Sequence, residues 1–234
     1  MATDGAVPAV AAGGSGASAA TAPAAAGAGA SGGAGTTCAS LPGAVPTAGQ
    51  PAANKDAPSL STDAKIASVE AKLASLDIAF KTERHAATAT VEDMLAALAS
   101  LPGTKCKNLF IKAKKERDPT DSRMWLVVAA ANADTNLNAL ATKLGYGKIV
   151  LRFGDAESLL DNLGTVQGHV SPFALAHDTA LLVNVAIDSR LLADASSPLY
   201  FHPLSNEAST AISARDLRRF VEATGHKITV VDFD

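Results

Sequence analysis

The run Asn108-Leu109-Phe110-Ile111 is followed, after the charged and proline-containing stretch from Lys112 to Arg123, by Met124-Trp125-Leu126-Val127-Val128. Both runs are apolar, short and strand-like, and the polar stretch between them reads as an exposed loop joining two neighbouring strands. Helix signals lie on either side. Ser61 is a good N-cap with Asp63 in the first turn, and Ile66, Val69, Leu73 and Leu76 follow at helical spacing. Thr90 and Asp93 form a capping box ahead of Val91, Leu95 and Leu98, and Pro102-Gly103 stops that second helix. Downstream, a third helix carries Leu137, Leu140, Ala141 and Leu144 to its end at Gly145, and a strand is expected over 148–152. A short helix runs from Asp155 to Leu163, closed by Gly164. A buried strand over 181–187, a helix capped by Ser213 and Asp216 through Leu217, Phe220 and Val221, and a final strand over 228–233 complete the series. Helices and strands mix without strict alternation, which predicts an α/β or α+β fold with a mixed sheet.

Outside this region the chain changes character. Of its 234 residues 47% are hydrophobic but 4% aromatic, a gap that alanine explains. Residues 1–59 hold 11 of the 18 Gly and 6 of the 11 Pro, no aromatic residue, and no charges beyond Asp4, Lys55 and Asp56. Such a stretch cannot bury enough side chain to offset the entropy of ordering it. It is expected to be a disordered Ala/Gly/Pro-rich tail, a flexible linker or tether before one folded domain at 60–234.

The folded part carries 19 basic and 21 acidic residues, which argues against a general basic coat for nucleic acid. One local patch differs: Lys105, Lys107, Lys112, Lys114, Lys115 and Arg117 fall within thirteen residues that contain Glu116 as the sole acid. It reads either as a site for a polyanion or as a strand edge kept basic against aggregation. Two cysteines, Cys38 and Cys106, exclude a disulfide framework and point to a reducing compartment. The N-terminus has neither the basic start and apolar core of a secretory signal nor the arginines of a transit peptide, and no run approaches eighteen apolar residues. The expectation is a soluble cytoplasmic protein with no membrane partner.

The five histidines, at 85, 169, 177, 202 and 226, include no pair at i, i+4 and have no cysteine pair beside them, so no metal site is expected. Ser171 lacks nucleophile-elbow glycines, and Cys106 lies in no protease signature. The lysines around Cys106 would depress its pKa, but such a cysteine more often packs as a small hydrophobe. Two segments are harder to assign to packing. In Gly168-His169-Val170-Ser171-Pro172-Phe173 the glycine lets backbone approach a ligand and the proline fixes the turn, so that N–H groups can converge on an oxyanion or a polarised carbonyl. Phe201-His202-Pro203-Leu204-Ser205-Asn206 reads as a polar strand end able to flank the same cavity. On spacing alone both read more readily as ordinary turns.

Taken together, Cys106-Lys107-Asn108-Leu109-Phe110-Ile111-Lys112, the Gly168–Phe173 segment, and His202-Pro203 with Asn206 resemble the YbaK/prolyl-tRNA synthetase editing superfamily, and within it the free-standing synthetase-associated proteins that hydrolyse mischarged tRNA. The resemblance runs from His85 and the Thr90–Glu92 helix start to Ser213–Phe220 and leaves out the tail. It implies a mixed sheet surrounded by helices, with a small pocket for the aminoacyl group at the tRNA 3′ end. Lys107 and Gly168 take the catalytic positions: the loop backbone near Gly168 contacts the substrate carbonyl and Lys107 positions the aminoacyl-adenosine. Asn108, His169, Val170, Ser171, Pro172, His202 and Asn206 fall on the substrate side, and Lys105, Lys112, Lys114, Lys115 and Arg117 on the tRNA side. His169 departs from the glycine or serine common at that position.

The resemblance further implies that no metal or other cofactor is needed, that water is the nucleophile, and that the terminal ribose hydroxyl helps activate it. Aminoacylated tRNA is the implied partner, and prolyl-tRNA synthetase or a multi-synthetase complex a further one. The implied activity is trans-editing of mischarged tRNA, most of all Ala-tRNA for proline, with Ser- and Cys-tRNA as further substrates. The alternative is a non-catalytic tRNA-binding or scaffold subunit of a synthetase assembly.

Overall fold

A computed structural model describes residues 60–113, 124–147 and 149–233, all within the second of two units of the chain, Pro51–Asp234. The tail over 1–59 and Lys114, Lys115 and Arg117 lie outside the described residues. In chain order the elements are α1 (Thr62–Ser75), β1 (Lys81–Arg84), α2 (Val91–Ala97), β2 (Thr104–Ala113), β3 (Met124–Ala130), α3 (Leu137–Lys143), β4 (Leu151–Phe153), α4 (Ala156–Leu163), β5 (Val183–Asp188), β6 (Pro198–Phe201), β7 (Ala208–Ser213), α5 (Ala214–Ala223) and β8 (Ile228–Val231). Short 3-10 turns occupy Pro172–His177 and Ser189–Leu192.

The helix starts are set by local side chains, as expected. Ser61, Thr90, Asp155 and Ser213 each accept from a backbone N–H in the first turn of the helix that follows. At α2 the box is reciprocal, because the Asp93 carboxylate also accepts from the Thr90 N–H at 3.1 Å. Each cap stabilises its helix by about 1 kcal/mol. Gly164 ends α4 at φ +59, where a β-carbon would be strained.

The eight strands form one mixed sheet in the order β1-β7-β6-β2-β3-β5-β8, with β4 added to β2. The two apolar runs are its centre: β2 and β3 pair antiparallel from Cys106↔Ala130 to Lys112↔Met124. All of β3 is buried, as a strand covered on both faces must be. The rings of Phe173, Phe201 and Phe220 meet edge to face at 5.9 and 5.4 Å, tying the Pro172–His177 turn to β6 and α5. Each such buried ring contributes about 1.5–3 kcal/mol.

Three expected strands are shorter than their apolar runs. The run at 181–187 becomes a strand from Val183, because the N–H groups of Leu182 and Val183 donate to the Asp178 carboxylate at 3.0 and 2.7 Å instead of to a neighbouring strand. Leu181 is left half exposed at φ +56. Of the strand expected over 148–152, the described residues show Leu151–Phe153, paired with Ile111–Ala113 of β2. The last strand stops at Val231, the end of its pairing with β5.

One gap in this sheet positions the candidate site. β3 covers one edge of β2, while on the other edge β6 pairs with Thr104 and Lys105, and β4 pairs with Ile111 to Ala113. The Phe110 carbonyl accepts from Gly154 N–H at 2.9 Å. Between these partners, Cys106 to Leu109 has no strand beside it on that edge among the described residues.

Candidate active site

A cavity of about 150 Å³ fills this gap, lined by Cys106, Lys107, Asn108 and Leu109 of β2, by Thr88 to Val91 and Met94 at the start of α2, by Gly168 and Val170, and by His202. Specific hydrogen bonds and packing hold these walls. Thr88 N–H donates to the Asn206 carbonyl and Asn206 Nδ2 donates back to the Thr88 carbonyl, both at 3.0 Å, so the turn after β6 grips the segment leading into α2. The loop is tightened by His169 N–H on the Val166 carbonyl at 3.0 Å, and Phe173 anchors its exit in the core. Gly168 sits at φ +84, and a β-carbon there would meet no atom within 4 Å. The glycine is therefore required by backbone conformation, and the space beside it is open to a ligand.

Leu204, two residues after His202, is held at φ +58, a conformation costing a residue with a β-carbon about 1–2 kcal/mol. Backbone strain of this kind recurs around functional sites. Here it closes the turn that presents His202.

The electrostatics of the cavity follow from burial. His202 Nδ1 lies 3.0 Å from the Ala208 carbonyl and so carries the hydrogen, leaving Nε2 as an acceptor when the ring is neutral. Burial lowers the His202 pKa, and the nearby His85 and His169 push it in the same direction. Burial also lowers His169, aided by Lys65. Lys107 Nζ donates to the Ala133 carbonyl, and burial draws its pKa down against the opposing charge of Asp134. The Cys106 thiol is pushed far up by burial and stays protonated. Asn108 Oδ1, His169 Nδ1 and Ser171 Oγ are buried with no hydrogen-bond partner among the described residues, and unsatisfied buried groups are expensive unless a ligand or water completes them.

Of the residues singled out in the sequence, the fold brings Lys107, Asn108, Gly168, Val170 and His202 to one cavity. Others stand behind it. Ser171 and Pro172 are buried under the loop, and Asn206 acts through Thr88. His169 lies outside the lining. Among the described lysines of the basic patch, Lys105 donates to the Leu101 and Gly103 carbonyls over the Tyr200 ring, and Lys112 is bonded to Asp155 and Ser158. These two ammonium groups are occupied by the protein itself. The sequence reading missed the wall made by Thr88, Val91 and Met94, which carries no chemical signature beyond the amphipathic start of α2.

Residues 85–220 match the family model described as the aminoacyl-tRNA editing domain. The chain belongs to the aminoacyl-tRNA editing domain family. Prolyl-tRNA synthetase associated domain-containing protein 1 of Bos taurus is 37% identical over 159 residues, 67% of this chain and 90% of that one. Prolyl-tRNA editing protein ProX of Acetoanaerobium sticklandii is 31% identical over 157 residues, again 67% of this chain and 90% of that one. Among solved structures, a candidate trans-editing enzyme for prolyl tRNA synthetase superposes with a TM-score of 0.56 at 19% identity, covering 75% of this chain and 99% of that one, which supports the shared fold. The matched residues of the editing domain include the whole cavity wall. No group of three His, Cys, Asp or Glu able to hold a metal occurs among the described residues, and no described helix is long and apolar enough to cross a membrane.

Proposed function

We propose that this chain is a trans-editing aminoacyl-tRNA deacylase, with Ala-tRNA for proline as its leading substrate and Ser- and Cys-tRNA as secondary ones. The observation that carries this reading is the convergence of Gly168, Lys107 and His202, from three separate elements, on one small cavity at an open strand edge. Neither side-chain nucleophile is armed: Cys106 is a buried neutral thiol and Ser171 is buried out of the lining. Water then adds to the ester carbonyl carbon. Negative charge develops on the carbonyl oxygen beside the loop N–H groups, the bond to the ribose oxygen breaks, and that oxygen takes up a proton from the attacking water. An aminoacyl ester is reactive enough for orientation and carbonyl polarisation to carry this step. As the resemblance implies, the neighbouring ribose hydroxyl assists the water, and no metal is needed.

A synthetic site shaped for proline loses only about 1–3 kcal/mol of contact with the smaller alanine, so correction calls for a second site that admits alanine and excludes the proline ring. The cavity walls at Val91, Met94 and His202 suit such a sieve. Single-turnover deacylation of Ala-, Ser-, Cys- and Pro-tRNA by the purified chain, with and without a chelator, tests the reading. Hydrolysis of Ala-tRNA with Pro-tRNA spared is expected, unaffected by the chelator. Equal rates on Ala- and Pro-tRNA would overturn the substrate assignment, and tRNA binding with no turnover on any of the four would favour the non-catalytic subunit. The tail, with one lysine and two aspartates among 59 residues, suits a tether toward prolyl-tRNA synthetase or a larger synthetase assembly in the cytoplasm better than an RNA grip.

A further inference from the structure

Phe153 is 64% exposed at the end of β4, an unusual place for a large ring, and it makes no ring contact among the described residues. It borders a second cavity of about 180 Å³, which shares Asn108, Leu109, Gly168 and Val170 with the first. The two cavities are therefore lobes on either side of one wall, and that wall holds the loop assigned to the ester. The first lobe is bounded by α2; the second is bounded by β4 and the start of α4. Gly154 follows Phe153 and donates to the Phe110 carbonyl at 2.9 Å, while a β-carbon on it would come within 2.3 Å of the Phe110 ring. A glycine here keeps β4 close against β2 and holds the Phe153 backbone at the rim.

We infer that the second lobe receives the terminal nucleoside of the acylated RNA, with the base stacked on the Phe153 ring. This rests on the proposed deacylase reading and adds to it a binding residue outside the three motifs. With the ester at Gly168 and the acyl group in the first lobe, the ribose is joined directly to the reacting oxygen and leads into the neighbouring lobe across the shared wall. Asn108 Oδ1, buried in that wall without a partner among the described residues, accepts from a ribose hydroxyl. An exposed aromatic face contributes affinity for any base without reading its sequence, which is what an enzyme acting on a common RNA end requires.

The test has two arms, both with the full chain. In single-turnover deacylation of Ala-tRNA, Phe153→Ala should raise the half-saturating enzyme concentration about tenfold, with a smaller change in the rate at saturation, and Phe153→Trp should restore it. In the second arm, an uncharged RNA hairpin with a single-stranded 3′ end carries 2-aminopurine as its last base. Its fluorescence should be quenched by the wild type and by Phe153→Trp, and not by Phe153→Ala. The fluorescence arm needs no hydrolysis, so a protein inactive on every aminoacyl-tRNA would lose the deacylase reading while this inference is still decided. Wild-type saturation and quenching in Phe153→Ala, or no quenching by the wild type, would overturn it.

Discussion

Two buried polar regions of this domain are built on opposite plans. Under the start of β5, Asp178 accepts from the Leu182 and Val183 N–H groups and lies 3.2 Å from His226 Nε2, while His226 Nδ1 lies 3.0 Å from Thr224 Oγ1, which donates to the Val221 carbonyl. Burial works to raise the Asp178 pKa, but the hydrogen bonds from His226 and the two backbone groups outweigh it and hold the carboxyl below its ordinary value. Around the cavity, Asn108 Oδ1, His169 Nδ1 and Ser171 Oγ are buried without partners among the described residues, and burial lowers both His169 and His202. A completed network joins the end of α5 to the start of β5 and leaves nothing to offer a ligand. An incomplete one, beside an open strand edge, costs stability and is ready for chemistry.

The sharpest way to break the contrast is to remove one member of each region. Asp178→Ala leaves the buried Leu182 and Val183 N–H groups and His226 Nε2 without their acceptor, and a loss of unfolding free energy of about 1–3 kcal/mol for each group left unsatisfied is expected, read by urea denaturation. Lys107→Ala should leave the unfolding midpoint close to wild type while abolishing deacylation. Loss of a charge-assisted contact costs about 1.5–3 kcal/mol, and more where it aligns the reacting ester. A Lys107→Ala protein with full turnover would remove the mechanism. So would one that fails to fold, because the two regions would then share a structural role.

Acid should sharpen the contrast. Because the folded state holds His169 and His202 neutral, their pKa values lie below the unfolded value of about 6.5, and the stability that depends on them is present above that pH and falls as the pH drops below it. The Asp178 pair has the opposite reserve: its carboxyl is depressed, so its contribution persists until the pH falls below about 3.8. Melting temperatures of the wild type should fall between pH 7 and 5, and His202→Gln should flatten that slope. The smallest effect is expected at Cys106→Ser, which exchanges one buried neutral group for another of similar shape and should leave single-turnover rates nearly unchanged. A large loss there would return the thiol to the mechanism.

Much of the fold could be read along the chain because its signals are local. The caps at Ser61, Thr90 and Ser213 and the stop at Gly164 are contacts between residues three or four apart, and the all-apolar β3 carries its burial in its composition. β1, with the sequence KTER, and β7, with ASTAIS, have no such signature. Their extended form comes from pairing: β1 with β7, Lys81↔Ala211 to Arg84↔Ala208, across more than a hundred residues, and β7 with β6 on its other edge.

The same division runs through the candidate site. Lys107, Gly168 and His202 stood out through three short motifs and a family resemblance. That Asn206 acts through Thr88, that Ser171 faces inward, and that Lys105 and Lys112 are committed to partners within the protein are facts of geometry. So is the gap between β6 and β4 that leaves Cys106 to Leu109 open. A residue's chemical type is legible wherever it stands in the chain, but its neighbours across a sheet depend on which distant strands pair. That choice is made by the burial of the whole core, so the chain order announced the candidate residues while the pairing of remote strands made the cavity that joins them.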